Sequence, residues 1–254
     1  MKINFLILLI CLFLSINVSA QLPLYKVNFG DLGKEMAKTD TKTETIRIAI
    51  WMPTVYWEVY AAQSETSDYA SFKRIIDALD EYVVICAVNA EHQEGSTGFK
   101  TTAESTMRKN ILLKVGTETF KPLSDKQISD DALSIKDVLE PIFASMLGTF
   151  GDGMTVFYFK AQNSHGENLI DAREEGNFNL EFMGGTTNWN LPISALYPKK
   201  TCPTDNATFP SNYKFCPFHG IELNEPSDKK NEEKKEPIKK EAVPADELDE
   251  LKHE

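Results

Sequence analysis

Four side chains near the C-terminal end carry the spacing of a metal site: Cys202, Asp205, Cys216 and His219. The pattern is C-x2-D-x10-C-x2-H, and each cysteine is followed by proline: Cys202-Pro203 and Cys216-Pro217. Two short knuckles, each offering a second ligand three residues after its cysteine, suit one tetrahedral zinc. In that pattern Asp205 and His219 stand where thiolates often stand, and four protein ligands leave no open position for catalysis. A disulfide is the competing reading, because an oxidising compartment favours closing the loop between Cys202 and Cys216. His219 and Gly220, which a bare disulfide does not need, favour the metal.

Other candidates for chemistry are scattered. His92 follows an apolar strand, His165 sits in the turn Asn163-Ser164-His165-Gly166, and Asp152 lies between two glycines. Solvated turns explain all three, but together they define an alternative: a cell-envelope hydrolase with a loop-assembled site. No P-loop, dinucleotide fingerprint, Gly-x-Ser-x-Gly or His-Glu-x-x-His occurs. Trp51, Tyr56, Trp57 and Tyr60 are close in sequence and could form a platform for a peptide or glycan; core packing is the commoner fate of such rings, and Trp189 is expected in the core too.

The elements that position these residues follow from patterning. Met1 to Ala20 has a basic start, an apolar run and a Val18-Ser19-Ala20 cleavage site before Gln21, the form of a secretory signal peptide. The mature chain is therefore expected to be secreted, periplasmic or in the cell envelope, with no transmembrane segment. Cys11 leaves with the signal, so Cys86, Cys202 and Cys216 remain, an odd number. Cys86, inside the apolar run Tyr82–Val88, reads as a buried small hydrophobe. The net charge is −11; residues 225–254 hold 11 acidic and 7 basic side chains (−4), and the signal holds +1, leaving −8 on residues 21–224. An acidic body does not suit nucleic-acid binding. The partner expected is an unidentified protein or glycan.

Residues 21–45 read as an N-terminal extension, with 38–45 an exposed polar linker. Alternation marks a strand over 45–52, and Val55–Tyr60 is β-prone by composition. Phe72, Ile75, Ile76 and Leu79 share one helix face, with Ser67 as its cap. Strand Tyr82–Val88, loop 89–103, strand Thr106–Val115, a turn at Gly116 and the segment Thr119–Leu123 follow. A helix is expected over 130–147, opened by Ser129, closed by Gly148 and carrying Leu133, Val138, Leu139, Ile142, Met146 and Leu147 as its apolar stripe; Pro141 marks a kink or a second start. Strands Met154–Phe159, Asn177–Met183 and Asn188–Ile193 complete the set, the last at an edge because of Pro192. The reading is mainly β (α+β): a sandwich over 46–198 with two helical insertions, a knuckle over 199–223 and a disordered charged tail over 224–254. Asn206-Ala207-Thr208 is also a glycosylation sequon.

Two resemblances attach to particular residues. Strand Tyr82–Val88, Val88-Asn89, Gly116-Thr117-Glu118-Thr119-Phe120 and the glycines before strand Met154–Phe159 resemble exported bacterial immunoglobulin-like (Ig-like) domains over roughly residues 80–185. That resemblance implies a β-sandwich with a non-enzymatic binding or scaffold role. Within residues 199–223, Cys202-Pro203 and Lys214-Phe215-Cys216-Pro217, with Gly220, resemble zinc-ribbon knuckles. It implies a structural zinc held by Cys202, Asp205, Cys216 and His219, with Asp205 and His219 replacing cysteines and Asn206 replacing a knuckle glycine.

Overall fold

The computed structural model describes residues 20–42, 44–64, 69–93, 95 and 98–226. The expected signal segment up to residue 19, the proposed cap Ser67 and the tail from residue 227 lie outside the described residues.

The chain builds two antiparallel sheets over one core. In the first, β1 (Ala37–Lys42) pairs with β2 (Thr45–Trp51), which pairs with β3 (Tyr82–His92) from Thr45↔Glu91 to Trp51↔Ile85. Two strands share the far edge of β3: β4 (Phe99–Thr101) along Ala90–His92, and β7 (Thr155–Lys160) along Tyr82–Ala87. Lying between neighbours and covered on both faces, β3 is buried continuously from Val83 to Ala90, which is why it reads as an unbroken apolar run rather than an alternation. The second sheet has the order β6 (Glu118–Phe120), β5 (Ile111–Val115), β8 (Gly176–Phe182), β9 (Gly185–Leu191). β9 pairs with β8 alone, so it is an edge strand, and Pro192 follows directly after it. The sheets meet through aromatic rings: Trp51 lies edge-on to Phe178 at 4.9 Å, and Phe178 stacks on Trp189.

Six α-helices accompany the sheets among the described residues: α1 (Phe29–Met36), α2 (Thr54–Gln63), α3 (Tyr69–Leu79), α4 (Glu104–Lys109), α5 (Asp130–Leu147) and α6 (Thr149–Asp152). The class is therefore α+β, and "two helical insertions" understates the helical part. The β-prone segment 55–60 lies inside α2. Helix packing overrides its composition, because Val55 and Val59, four residues apart, are both buried. Its aromatic residues pack locally, Tyr56 against Phe29 and Trp57, and Tyr60 against Phe72.

Residues 38–42, expected as a linker, form β1. Its Asp40 carboxylate accepts from Arg47 on β2, and the Arg47 guanidinium also donates to the Met183 carbonyl at 3.1 Å in the β8–β9 turn. One buried cation thus ties a polar edge strand to the second sheet. That turn has positive φ at Met183 (47°) and Gly184 (75°), the two-residue hairpin geometry that matches strand twist. Residues 21–45 also supply Leu32 and Met36 to the main core.

The strand expected from Thr106 starts at Ile111. Before it, α4 buries Met107, and Arg108 pairs with Glu104 one turn back. Helix α5 spans the expected residues with Pro141 inside it and the Ser129 side chain capping Ala132 N–H. Its buried face is Ala132, Leu139 and Phe143, while Val138, Ile142 and Met146 from the expected stripe face outward. The loop expected over 89–103 is shorter, because β3 runs on to His92 and β4 adds a strand.

Candidate metal centre

Beyond Pro198 the chain makes two small hairpins whose turns repeat each other bond for bond. In the first, β10 (Lys200–Thr201) pairs with β11 (Thr208–Phe209), Cys202 N–H donates to the Ala207 carbonyl at 2.8 Å, and Asn206 N–H donates to the Cys202 carbonyl at 2.9 Å. In the second, Phe215 bridges Glu222, Cys216 N–H donates to the Ile221 carbonyl at 2.8 Å, and Gly220 N–H donates to the Cys216 carbonyl at 2.8 Å. Both turns need a left-handed residue at the fourth position after cysteine: Asn206 has φ 61° and Gly220 has φ 66°. Asparagine is among the few side chains that tolerate this conformation, so its replacement of glycine leaves the turn intact. Asp205 fixes its own turn by accepting from Ala207 N–H at 3.0 Å.

The turns aim their side chains at one point. The ligand atoms of Cys202, Cys216 and His219 all lie within 4.8 Å of one another. The two Sγ atoms are 3.6 Å apart, and His219 Nδ1 lies 3.5 Å from Cys202 Sγ and 3.4 Å from Cys216 Sγ. A disulfide requires about 2.05 Å between sulfurs, so Cys202 and Cys216 are unbridged here. Zinc bound tetrahedrally at about 2.3 Å to sulfur and about 2.05 Å to nitrogen would place the sulfurs about 3.8 Å apart and each sulfur about 3.6 Å from the nitrogen. The observed separations match those edges within a few tenths of an ångström, so the three residues can hold a metal ion.

Asp205 stands beside this trio rather than within it. Its Oδ2 is 4.0 Å from His219 Nδ1, where a shared tetrahedral ion would set about 3.4 Å. The Asp205 carboxyl is held below its ordinary range first by the Ala207 N–H and next by Cys202, so it is a carboxylate ready to ligate.

Backbone N–H groups of Thr204 and Asp205 point at Cys202 Sγ, and those of Phe218 and His219 at Cys216 Sγ. Burial pushes both thiols up. In Cys216 the N–H groups, His219 and Cys202 outweigh it and bring the thiol below its ordinary value, whereas Cys202 stays above. Both cysteines are buried with Leu223 in a small cluster, flanked by Ala207, Phe209 and Ile221, that is separate from the main core.

The remaining candidates do not converge. His92 ends β3 against Phe99, and Asp152 ends α6, whose Phe150 ring also packs on Phe99. His165 lies past Lys160, which pairs with Tyr82 at the opposite end of β3. The rise per strand residue sets those two ends about 33 Å apart. Cys86 is buried in β3, and burial pushes its thiol up, as expected of a small hydrophobe rather than a reactive group. Trp51 and Trp189 are core residues. No helix among the described residues is long and apolar enough to cross a membrane.

Sequence reasoning missed a second feature, a cavity of about 400 Å³ between α1, the end of β9 and the knuckle segment. Its lining comes from residues spread between Leu22 and Tyr213, so no local pattern announces it.

Comparison with protein-family profiles, with characterised proteins and with solved structures gives no match.

Proposed function

We propose that this is a secreted or periplasmic binding or scaffold protein whose C-terminal knuckles hold one structural zinc through Cys202, Asp205, Cys216 and His219. The observation that carries the metal reading is the set of ligand-atom separations, 3.4 to 3.6 Å, close to the edges of a zinc tetrahedron. The duplicated turn and the N–H groups aimed at both sulfurs support it, since they stabilise thiolates without a bridge. Asp205 closes the tetrahedron in this reading by a small side-chain movement. The zinc-ribbon kinship of 199–223 is proposed on the same grounds. For residues 80–185 the Ig-like kinship is likewise a proposal; two antiparallel sheets over one core support it, and the helices between the strands weigh against it. Export rests on the signal-like segment Met1–Ala20. The partner is a protein or glycan rather than nucleic acid, given the acidic body. The hydrolase alternative needs His92, Asp152 and His165 in one cleft, and their separation along β3 counts against that assembly.

The test is metal content and free thiols on the chain from Gln21, purified without added metal. About one zinc per chain with Cys202 and Cys216 both reduced is the expected result. No metal, with Cys86 as the single free thiol, would replace the zinc with a disulfide.

A further inference from the structure

The cavity beside the knuckle is lined by more cations than anions. At about 400 Å³ it falls in the size range of small-molecule sites. Its lining includes two tryptophans, Trp51 and Trp189, both nearly buried and bridged by the Phe178 ring, which stiffen its apolar wall while exposing little of their own surface. Around it stand four lysines, Lys26, Lys34, Lys38 and Lys199, against two acids, Asp31 and Glu35. In a body of net charge −8 that is a local reversal of sign.

Both acids are already engaged within the fold. The Glu35 carboxylate accepts from Ser194 N–H at 2.8 Å, Ser194 Oγ–H at 2.7 Å and Ala195 N–H at 2.8 Å. Asp31 is met by Lys34 at 3.3 Å and Lys199 at 2.8 Å, and these two cations hold its carboxyl below the ordinary range. Lys38 has no ion-pair partner among the described residues, and Lys26 has only the face of Tyr25, 5.8 Å from its ring centre. Two cations therefore remain for a ligand. Tyr213, from the loop between the knuckles, closes one side, and Ser211 Oγ pins that loop to the Ser194 carbonyl at 3.1 Å.

We propose that this cavity binds a small organic anion, its ring against the apolar wall that Trp51 and Trp189 back and its phosphate or carboxylate at Lys26 and Lys38. The wall supplies apolar contact and two uncommitted ammonium groups supply charge, so a ligand with only one of these features binds more weakly. The inference builds on the binding-protein reading; the two free lysines and both tryptophans come from outside the knuckle segment, which adds the Tyr213 side.

The test titrates full-length protein with phenyl phosphate, benzoate and phenol, following tryptophan fluorescence and the indole N–H signals by NMR. Metal content is measured on the same sample, so a missing zinc and a missing anion site are told apart. Phenyl phosphate or benzoate is expected to saturate with a Kd of about 1 mM or lower, and phenol to bind about tenfold more weakly or worse. The relative strength of the two anions tells phosphate from carboxylate. The Trp51 and Trp189 signals should move while Trp57, outside this cavity, stays in place. The double substitution Lys26→Ala, Lys38→Ala should weaken anion binding about tenfold with an unchanged melting temperature. Absence of saturation by both anions at about 10 mM, tenfold above the expected Kd, or equal affinity for phenol, would overturn the proposal. So would Trp57 responding as strongly as Trp51 and Trp189. Should the double variant melt early, Lys38→Gln alone serves, and undiminished anion affinity there also refutes it.

Discussion

Removing the proposed zinc should unfold the knuckles and spare the rest of the chain. The prediction comes from the separation of the two cores. The knuckle cluster contains one buried aliphatic side chain, Leu223, besides its two cysteines. Burying a leucine contributes about 2–3 kcal/mol, whereas structural zinc in finger-sized units contributes about 10 kcal/mol or more at neutral pH. On the proposed zinc reading the metal is the dominant stabilising term, and backbone bonds such as Cys202 N–H to Ala207 and Cys216 N–H to Ile221 should depend on it. Hydrogen exchange followed by mass spectrometry, with chelator and a non-metal-binding reductant, reads this directly. Amides in the knuckle segment should lose several orders of magnitude of protection, while those of β2, β3 and β7 keep theirs. A knuckle that stays protected after stoichiometric metal removal with both thiols reduced would refute the reasoning. So would loss of protection spreading equally into β3, because the two clusters would then be one cooperative unit.

Three further outcomes follow from packing and charge. Arg47→Ala removes the buried guanidinium that joins Asp40 to the β8–β9 turn, and the melting temperature should fall by about 3–6 °C, with Arg47→Lys intermediate. Gly151→Ala would set a Cβ 1.9 Å from the Phe143 carbonyl oxygen, a backbone atom with no rotamer to yield; calorimetry should show a loss of about 3 kcal/mol or more, or failure to fold. Burial raises the Glu140 carboxyl, outweighing the Val156 N–H that it accepts, so ionisation costs the folded state more than the unfolded one. Glu140→Gln should therefore be the more stable protein at neutral pH, by up to about 1 kcal/mol after solvent screening. Its advantage should vanish as pH falls below the ordinary carboxyl range, where wild-type Glu140 is neutral in both states; an unchanged difference at pH 3–4 would remove burial as the cause.

Legibility in the sequence tracked how local the responsible physics was. The knuckle could be read because tight turns that carry ligand-type side chains write their demands into neighbouring residues: cysteine, proline, a polar residue three positions on, then asparagine or glycine. β2, β7 and β8 were legible from alternation or apolar runs, and α5 from Ser129 at one end and Gly148 at the other. Where the deciding contact came from elsewhere, local signal misled. Val55–Tyr60 carries strand-forming residues but is helical because Val55 and Val59 meet the core. Residues 38–42 carry no apolar pattern and become a strand because Arg47 waits across the ladder. The face that α5 buries was only half readable, since Val138, Ile142 and Met146 have the right spacing but are exposed. The cavity, assembled from α1, β9 and the knuckle loop, was invisible for the same reason.

The divided edge of β3 has a bearing on how the chain finds its fold. β4 reaches its place beside Ala90–His92 by closing a short loop, so it can dock early, whereas β7 must return from more than sixty residues downstream of its partners on β3. The early strand and the late one compete for a single row of backbone donors and acceptors. β4 stops after three residues, and that brevity keeps the rest of the row vacant until β7 is available. Extended toward Tyr82, this minor strand would occupy the row on β3 that β7 takes in the folded chain.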